Sequence, residues 1–232
     1  MTCQPPSVNQ SAIQRHAARG YAMAAIRLGA PSRQFRPSAK SDPMTGTPYA
    51  IVRATFNDDP AFSFRRPIVW DKPICYALLD TTDINPGDLV VTPEEGTFFI
   101  TRYEPFRPVE AILTNAIVTV SGSAGSGDQG DDTGACDLAG AQGGYGSSAT
   151  ASVALVTGWP AWIGKPARGI STQSGVPGSL PAATFLMRFP LVPGWAPRPY
   201  MTVETDQGLL YTISGVSSSQ YGHECLMSVQ QV

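Results

Sequence analysis

The sequence predicts a mainly β protein made of two small barrel- or sandwich-like modules, preceded by one α-helix and connected by long loops. Three observations predict this class. Short apolar runs recur between turn-forming residues at the spacing typical of barrels and sandwiches. The chain has 23 Gly and 21 Pro among 232 residues, which favours short strands and many loops. Two stretches, residues 85–120 and 198–232, repeat a similar order of strand, glycine-containing turn and strand.

The first predicted element is a helix over residues 11–28. Apolar and small residues recur there at helical spacing, and Gly29 and Pro31 follow as stop signals. One stripe of this helix is predicted to contact a neighbouring subunit, and it consists of Ile13, Ala17, Tyr21, Ala24 and Leu28. The alternative is that the helix packs on its own domain. Residues 1–10 are polar and are expected to form a mobile arm.

Strands are predicted at residues 49–56, 62–69, 73–79, 88–92, 97–103, 111–120, 152–157 and 183–189, because each run combines apolar residues with flanking turn formers. Residues 34–48 and 165–181 are rich in turn formers and are predicted to be irregular. Superposing the two similar stretches on their glycines gives these pairs: Gly96 with Gly208, Leu89 with Met201, Val91 with Val203 and Phe99 with Tyr211. The superposition predicts that the two modules are related.

Composition divides the chain into three parts. Residues 1–120 hold the helix and the first β module, residues 121–150 are rich in Gly and Ser, and residues 151–232 hold the second β module. The middle part lacks the large apolar residues that would offset its ordering entropy, so a linker or exposed loop is predicted. Trp159 and Trp162 lie in a predicted loop at residues 159–165, and we expect them to cover an apolar surface or to contact a partner.

Charge and composition argue against nucleic acid and membranes as partners. The formal net charge is -2, whereas a nucleic-acid-binding protein is expected to carry a basic patch. No apolar run is long enough for membrane insertion. The N-terminus lacks the regions of a signal peptide, and the four cysteines are too dispersed for a disulfide framework. They are Cys3, Cys75, Cys136 and Cys225. We therefore expect synthesis in the cytoplasm.

No catalytic, cofactor or metal site is predicted, and the chain is not expected to be an enzyme. His223 and Cys225 share one face of a strand but lack the further ligands of a zinc site. The neighbouring carboxylates at residues 58–59 and 94–95 lie in turns, where their side chains diverge. The stretch from Gly158 to Lys165 departs from a phosphate-binding loop in spacing and ends in Pro166. The chain lacks a nucleophile elbow, and no dinucleotide-binding fingerprint directly follows a predicted strand.

Four segments together resemble a family of tail- and baseplate-associated structural proteins of tailed bacteriophages and prophages. They are RGYAMAAIRLGAPSRQFRP at residues 19–37, GDLVVTPEEGTFFITRYEPFRPVEAI at 87–112, GGYG with LVTGWPAWI at 143–146 and 155–163, and the C-terminal stretch from LPAATFLMRF at residue 180. They cover most of the chain in the order found in the family. Two departures are the enlarged Gly/Ser segment and the sequence GHEC at residues 222–225, where the family often has Gly-Trp and a basic residue.

The resemblance implies a non-enzymatic virion protein, a ring-forming adaptor that joins the tail tube to the baseplate. Its partners would be further copies of itself in the ring, together with tail-tube and baseplate hub proteins. The chain would be assembled in the host cytoplasm and reside in the virion tail. Two alternatives stay open. One is a neck or head-completion protein between portal and tail, and the other is a carbohydrate- or receptor-binding β-protein.

Overall fold

The computed structural model describes residues 10–60, 62, 73–104, 106–123, 152–165 and 184–229. Helix α1 spans Gln10–Leu28. The strands of the first half are β1 Ala30–Phe35, β2 Ala50–Asn57, β3 Ile74–Leu79, β4 Leu89–Thr92, β5 Gly96–Arg102 and β6 Val109–Leu113. Those of the second half are β7 Ala116–Ser123, β8 Ser152–Gly164, β9 Thr184–Phe189, β10 Thr202–Thr205, β11 Leu210–Ser219 and β12 Gly222–Val229. The described helix is not long and apolar enough to cross a membrane.

The strands close into two six-strand barrels that share one strand order. The first barrel runs β1-β2-β3-β6-β5-β4 and the second runs β7-β8-β9-β12-β11-β10, so strands with equivalent places pair in the same sequence. Every neighbouring pair is antiparallel. Closure leaves no free sheet edge on either barrel. The predicted fold class, mainly β with two barrel modules and an N-terminal helix, is confirmed.

The equivalence of the barrels extends to their hydrogen-bond register. Ile100 N donates to Asp88 O at 2.9 Å in the first barrel, and Ile213 N donates to Met201 O at 2.9 Å in the second. A register shift follows each of these isoleucines in its pairing with the next strand. Since such bulges occupy defined positions in a sheet, the two barrels can be compared residue by residue.

The superposition on Gly96 and Gly208 is one residue out of register. Val203 lies in its barrel interior in the place of Val90, and not in that of Val91. The glycines are not equivalent, because Gly96 begins β5 whereas Gly208 lies in the turn before β11. A shift by one residue moves every side chain to the opposite face of a strand. The predicted pairs therefore matched inward side chains with outward ones.

Five predicted strands are confirmed within one residue at each end, as β2, β3, β4, β5 and β9. The strand predicted at residues 62–69 falls outside the described residues apart from Phe62. Strand β1 was not predicted, because its inward positions carry Ser32 and Gln34, which are 1% and 0% exposed. The equivalent positions of β7 carry Val118 and Val120.

The strand predicted at residues 111–120 is two strands that belong to different barrels. Thr114 and Asn115 separate β6, which pairs with β3 and β5, from β7, which pairs with β8 and β10. The change from one barrel to the next therefore lies at these two residues, earlier than the predicted boundary at residue 120. The predicted Gly/Ser linker falls mostly outside the described residues, and the strands on either side of it in sequence, β7 and β8, pair with each other.

Each barrel has its own apolar interior, and α1 packs against the outside of the first. The first interior includes Ala54, Ala77, Leu79, Val90, Phe98, Ile100 and Ala111. The second includes Val118, Val120, Val156, Trp159, Met187, Phe189, Ile213 and Met227. Helix α1 lies on β2 and β3, with Ala25 fully buried. A Cβ atom at Gly29, which ends the helix, would lie 2.6 Å from the Ala54 carbonyl oxygen, so this close approach requires glycine.

Candidate functional site

The two barrels contact each other directly, beside strand β8. The connection between β1 and β2 runs along this strand, where Asp42 N donates to Thr157 O at 2.8 Å and Thr157 N donates to Lys40 O at 3.3 Å. Gly158 has φ +70°, a conformation that favours glycine, and a Cβ atom there would lie only 3.3 Å from the Asp42 Cα atom. The close approach of the two chain segments therefore depends on glycine at this position.

Trp159 connects the interior of the second barrel to the first. Its ring is 0% exposed, and its indole N–H donates to the Lys40 carbonyl oxygen at 2.8 Å. The loop predicted at residues 159–165 is instead largely the end of β8, which continues to Gly164. The structure places Trp159 where a neighbouring subunit cannot reach it. It contacts the other half of its own chain.

Trp162 packs against a row of apolar side chains on the outer face of the first barrel. The row consists of directly paired residues from five adjacent strands, Phe35, Leu89, Phe99, Ile112 and Ile74. We call it the apolar row. Although these side chains point away from the barrel interior, Leu89 is 0% and Phe99 1% exposed, because Trp162 and Met44 pack against the row. The predicted contact residue Trp162 thus contacts its own chain.

Two further contacts fix Trp162 and the barrel that carries it. The Asn115 side chain accepts a hydrogen bond from Ile163 N at 2.8 Å and donates one to Ile163 O at 2.7 Å. The Arg188 guanidinium lies 5.8 Å from the centre of the Trp162 ring, within range of a cation–π contact. These two contacts orient Trp162 within the second barrel, while the hydrogen bonds of residues 40 and 42 to β8 join the two barrels.

The second barrel carries hydroxyl groups at all five positions equivalent to the apolar row. They belong to Ser121, Thr202, Thr212, Ser228 and Thr184, again paired directly from strand to strand. We call this the hydroxyl row. Adjacent strands lie about 4.8 Å apart, so the hydroxyls form a regular line across five strands. All five residues are half-buried. The equivalent outer row is thus apolar in the first barrel, where the second barrel packs on it, and polar in the second barrel, where no barrel of the chain packs on it.

The predicted contact residues of α1 lie apart from the junction. Ile13 is 49% and Leu28 65% exposed, whereas Ala17 and Ala24 are half-buried. The Tyr21 hydroxyl donates to the Phe106 carbonyl oxygen at 3.3 Å, so this side chain is directed to its own barrel. The structure therefore does not bring the helix stripe together with the two tryptophans. Part of the stripe packs on the first barrel and its two ends are accessible.

The buried carboxylate of Asp88, just before β4, connects this strand to β1 and to the residue that follows β1. Asp88 is 2% exposed and accepts hydrogen bonds from Gln34 Nε2 and Arg36 Nη2, both at 2.9 Å, and from Asn85 N at 3.0 Å. Hydrogen bonds from Tyr49 and Arg36 also lower the pKa of the Asp83 carboxyl. Because the Asp88 oxygens are occupied by groups of the same chain, this cluster serves stability.

Removing the buried carboxylate is expected to destabilise the chain. Asp88→Ala leaves the Arg36 and Gln34 donors without their acceptor, which should lower the free energy of unfolding by about 2 kcal/mol. Urea denaturation followed by far-UV circular dichroism measures the loss. Glu94→Ala is the matched control, since Glu94 is an exposed acid of the same barrel and should change stability by less than about 0.5 kcal/mol. Equal effects of the two substitutions would contradict the assignment.

His223 and Cys225 face the interior of the second barrel. His223 is 6% exposed, and its Nδ1 atom lies 2.9 Å from Ser218 Oγ. Burial lowers the pKa of His223 and raises the pKa of the Cys225 thiol to about 12, so both side chains are neutral near pH 7. Within the described ranges, no group of three or more His, Cys, Asp and Glu residues is placed to hold a metal ion.

Acid is expected to destabilise the chain through His223. The folded-state pKa lies below the ordinary value of 6.5, so the unfolded state binds more protons and stability falls as pH drops below that value. Denaturant midpoints measured from pH 7.5 to 5.5 should fall, and His223→Gln should flatten the slope. The exposed His16 gives the control, because His16→Gln should leave the slope unchanged. A slope that survives His223→Gln would show that other groups cause it.

Comparisons with protein-family models, with curated proteins and with solved structures find no match to this chain. Its function is therefore argued from its own surfaces. Three of them are defined by the geometry above: the apolar row that holds the two barrels together, the hydroxyl row at the equivalent place of the second barrel, and the outer face of α1.

Proposed function

We propose that this chain is a non-enzymatic structural protein of a tailed-phage virion, a ring-forming adaptor that joins the tail tube to the baseplate. The observation that carries the proposal is the difference between equivalent faces of the two barrels. The first barrel uses its apolar row to hold the second, while the second presents hydroxyls at the same place. The apolar row is covered inside the chain, which leaves the hydroxyl row of the second barrel and the outer face of α1 as two unlike outer surfaces, as the heterologous contacts of a closed ring require.

The interior of the chain supports a mechanical role. An adaptor must hold its two ends in a fixed relative position. The junction does so through the Trp159 bond to Lys40, the Asp42 bond to Thr157 and the packing of Trp162. The buried polar side chain of Asp88 is bonded within the chain. These contacts make the two barrels a single block with a defined register.

The two alternative functions differ in what supports them. A neck protein between portal and tail would use the same ring geometry, so position in the particle separates it from a baseplate adaptor. A carbohydrate-binding protein would need an aromatic surface on which sugars stack. Trp159 and Trp162 lie in the junction between the barrels. These two rings are therefore engaged inside the molecule and not offered to a sugar.

The proposal is tested on virions of the phage or prophage that encodes the chain. Quantitative mass spectrometry of purified particles should find the chain at a fixed ratio to the tube protein. Gold-labelled antibody should mark the end of the tail tube next to the baseplate. Label at the portal would support the neck alternative instead. Particles that lack the chain altogether would refute a virion role, and binding to a glycan array would then favour the carbohydrate alternative.

A further inference from the structure

The junction inside the chain shows how one barrel docks on another. Trp162 of β8 lies against the apolar row, and its equivalent in the first barrel is Thr55 of β2, since the two strands hold the same place and register. Around β2 the first barrel is covered by α1 and not by another barrel. Helix α1 therefore occupies the face that the second barrel uses to contact its neighbour.

The outer face of α1 is basic. Arg19, Met23 and Arg27 follow at four-residue spacing, on the side of the helix opposite the buried Ala25. All three are exposed, and Met23 is 48% exposed. The helix contains Arg15 in addition and no acidic residue. This face thus offers guanidinium donors beside a flexible apolar side chain.

The surroundings of the hydroxyl row offer matching groups. Glu204 is exposed and lies two residues along β10 from Thr202, hence on the same face. Asp206 is exposed in the turn that follows. Leu209 and Ile117, near this turn, are 46% and 43% exposed. Carboxylates accept hydrogen bonds from guanidinium groups, and the exposed apolar atoms can receive Met23.

We propose that copies of this chain join head to tail, with the outer face of α1 in one copy against the hydroxyl row and Glu204 of the next. Inside the chain, the β8 side of the second barrel lies on the apolar row of the first. In the proposed contact, α1, which covers the equivalent β2 side of the first barrel, lies on the hydroxyl row of another copy's second barrel. This contact joins two unlike surfaces and can close into a ring. The contact rests on the proposed function and names the surfaces that would build the ring.

Mass photometry and light scattering of the purified full chain test the contact. The unaltered chain should form oligomers in a concentration-dependent way, and added salt should weaken them. Glu204→Lys and Arg19→Glu should each weaken association by about tenfold or more, since each puts like charges together. The chain with both substitutions should associate again, because the charges are then exchanged. Glu94→Lys, in an exposed turn of the first barrel, is the control and should leave association unchanged.

A mixing experiment tests the polarity of the contact. The Glu204→Lys chain keeps its helix surface and the Arg19→Glu chain keeps its hydroxyl row. An equal mixture should therefore associate again, through alternating unaltered and charge-exchanged contacts, whereas either variant alone should stay weakly associated. Thermal melting checks that both variants fold. The proposed contact would be wrong if the chain stayed monomeric at every concentration. It would also be wrong if both substitutions left the strength of association unchanged. Virion composition and gold labelling decide the proposed function separately, so either idea can fail alone.

Discussion

Phe99→Thr is expected to lower the free energy of unfolding by about 3 kcal/mol and to separate the unfolding of the two barrels. Phe99 is 1% exposed in the middle of the apolar row. The substitution copies the equivalent residue of the second barrel, Thr212, and places a hydroxyl where Trp162 docks. Calorimetry should show a single transition for the unaltered chain and two for the variant, because each barrel keeps its own interior.

The control for this prediction is Thr212→Ala. Thr212 lies in the hydroxyl row, on which no barrel of the same chain docks, so its truncation should leave one transition. The comparison holds strand position and register constant while it changes what covers the row. If Phe99→Thr has an effect as small as Thr212→Ala, the apolar row does not hold the barrels together.

Trp159→Ala is expected to cost about 4 kcal/mol, since it empties the space of a fully buried ring. It also removes the indole donor to Lys40 O. Trp159→Phe divides the two effects, because it keeps an aromatic ring and loses the donor. The cost of that variant should be about 1–2 kcal/mol, close to that of one buried hydrogen bond with some loss of packing.

Urea denaturation of both Trp159 variants measures these costs. The order of stability should be the unaltered chain, then Trp159→Phe, then Trp159→Ala. Two small, equal losses would mean that the ring is accessible and so available to a partner, as the sequence led us to expect. The result therefore decides between an intramolecular and an intermolecular role for this side chain.

Local sequence patterns were sufficient for the fold class and for most strands of the first barrel. Each of these strands has apolar residues at inward positions and turn formers at its ends. Strand β1 was missed because Ser32 and Gln34 occupy its inward positions, so neither face of the strand is consistently apolar. The boundary at Thr114 and Asn115 was missed because apolar residues continue on both sides of it.

The candidate surfaces could not be predicted, because they depend on register between strands far apart in sequence. Phe35, Leu89 and Ile112 form one row only when β1, β4, β5 and β6 are paired as observed. The hydroxyl row has the same origin. An alignment of the two stretches on the inward valines, Val90 with Val203, would have placed the apolar residues of the first stretch at the same positions as Ser and Thr of the second. The glycine-based superposition concealed that contrast by its shift of one residue.

The central claim is that this chain is a structural block of a tail ring, with copies joined through α1 and the hydroxyl row. A cryo-electron microscopy map of the purified tail, resolved well enough to trace strands, tests it most directly. The claim predicts twin-barrel densities repeated around the tail axis, with α1 of each copy against the second barrel of its neighbour. A map whose rings, from neck to baseplate, are fully accounted for by other proteins would contradict it.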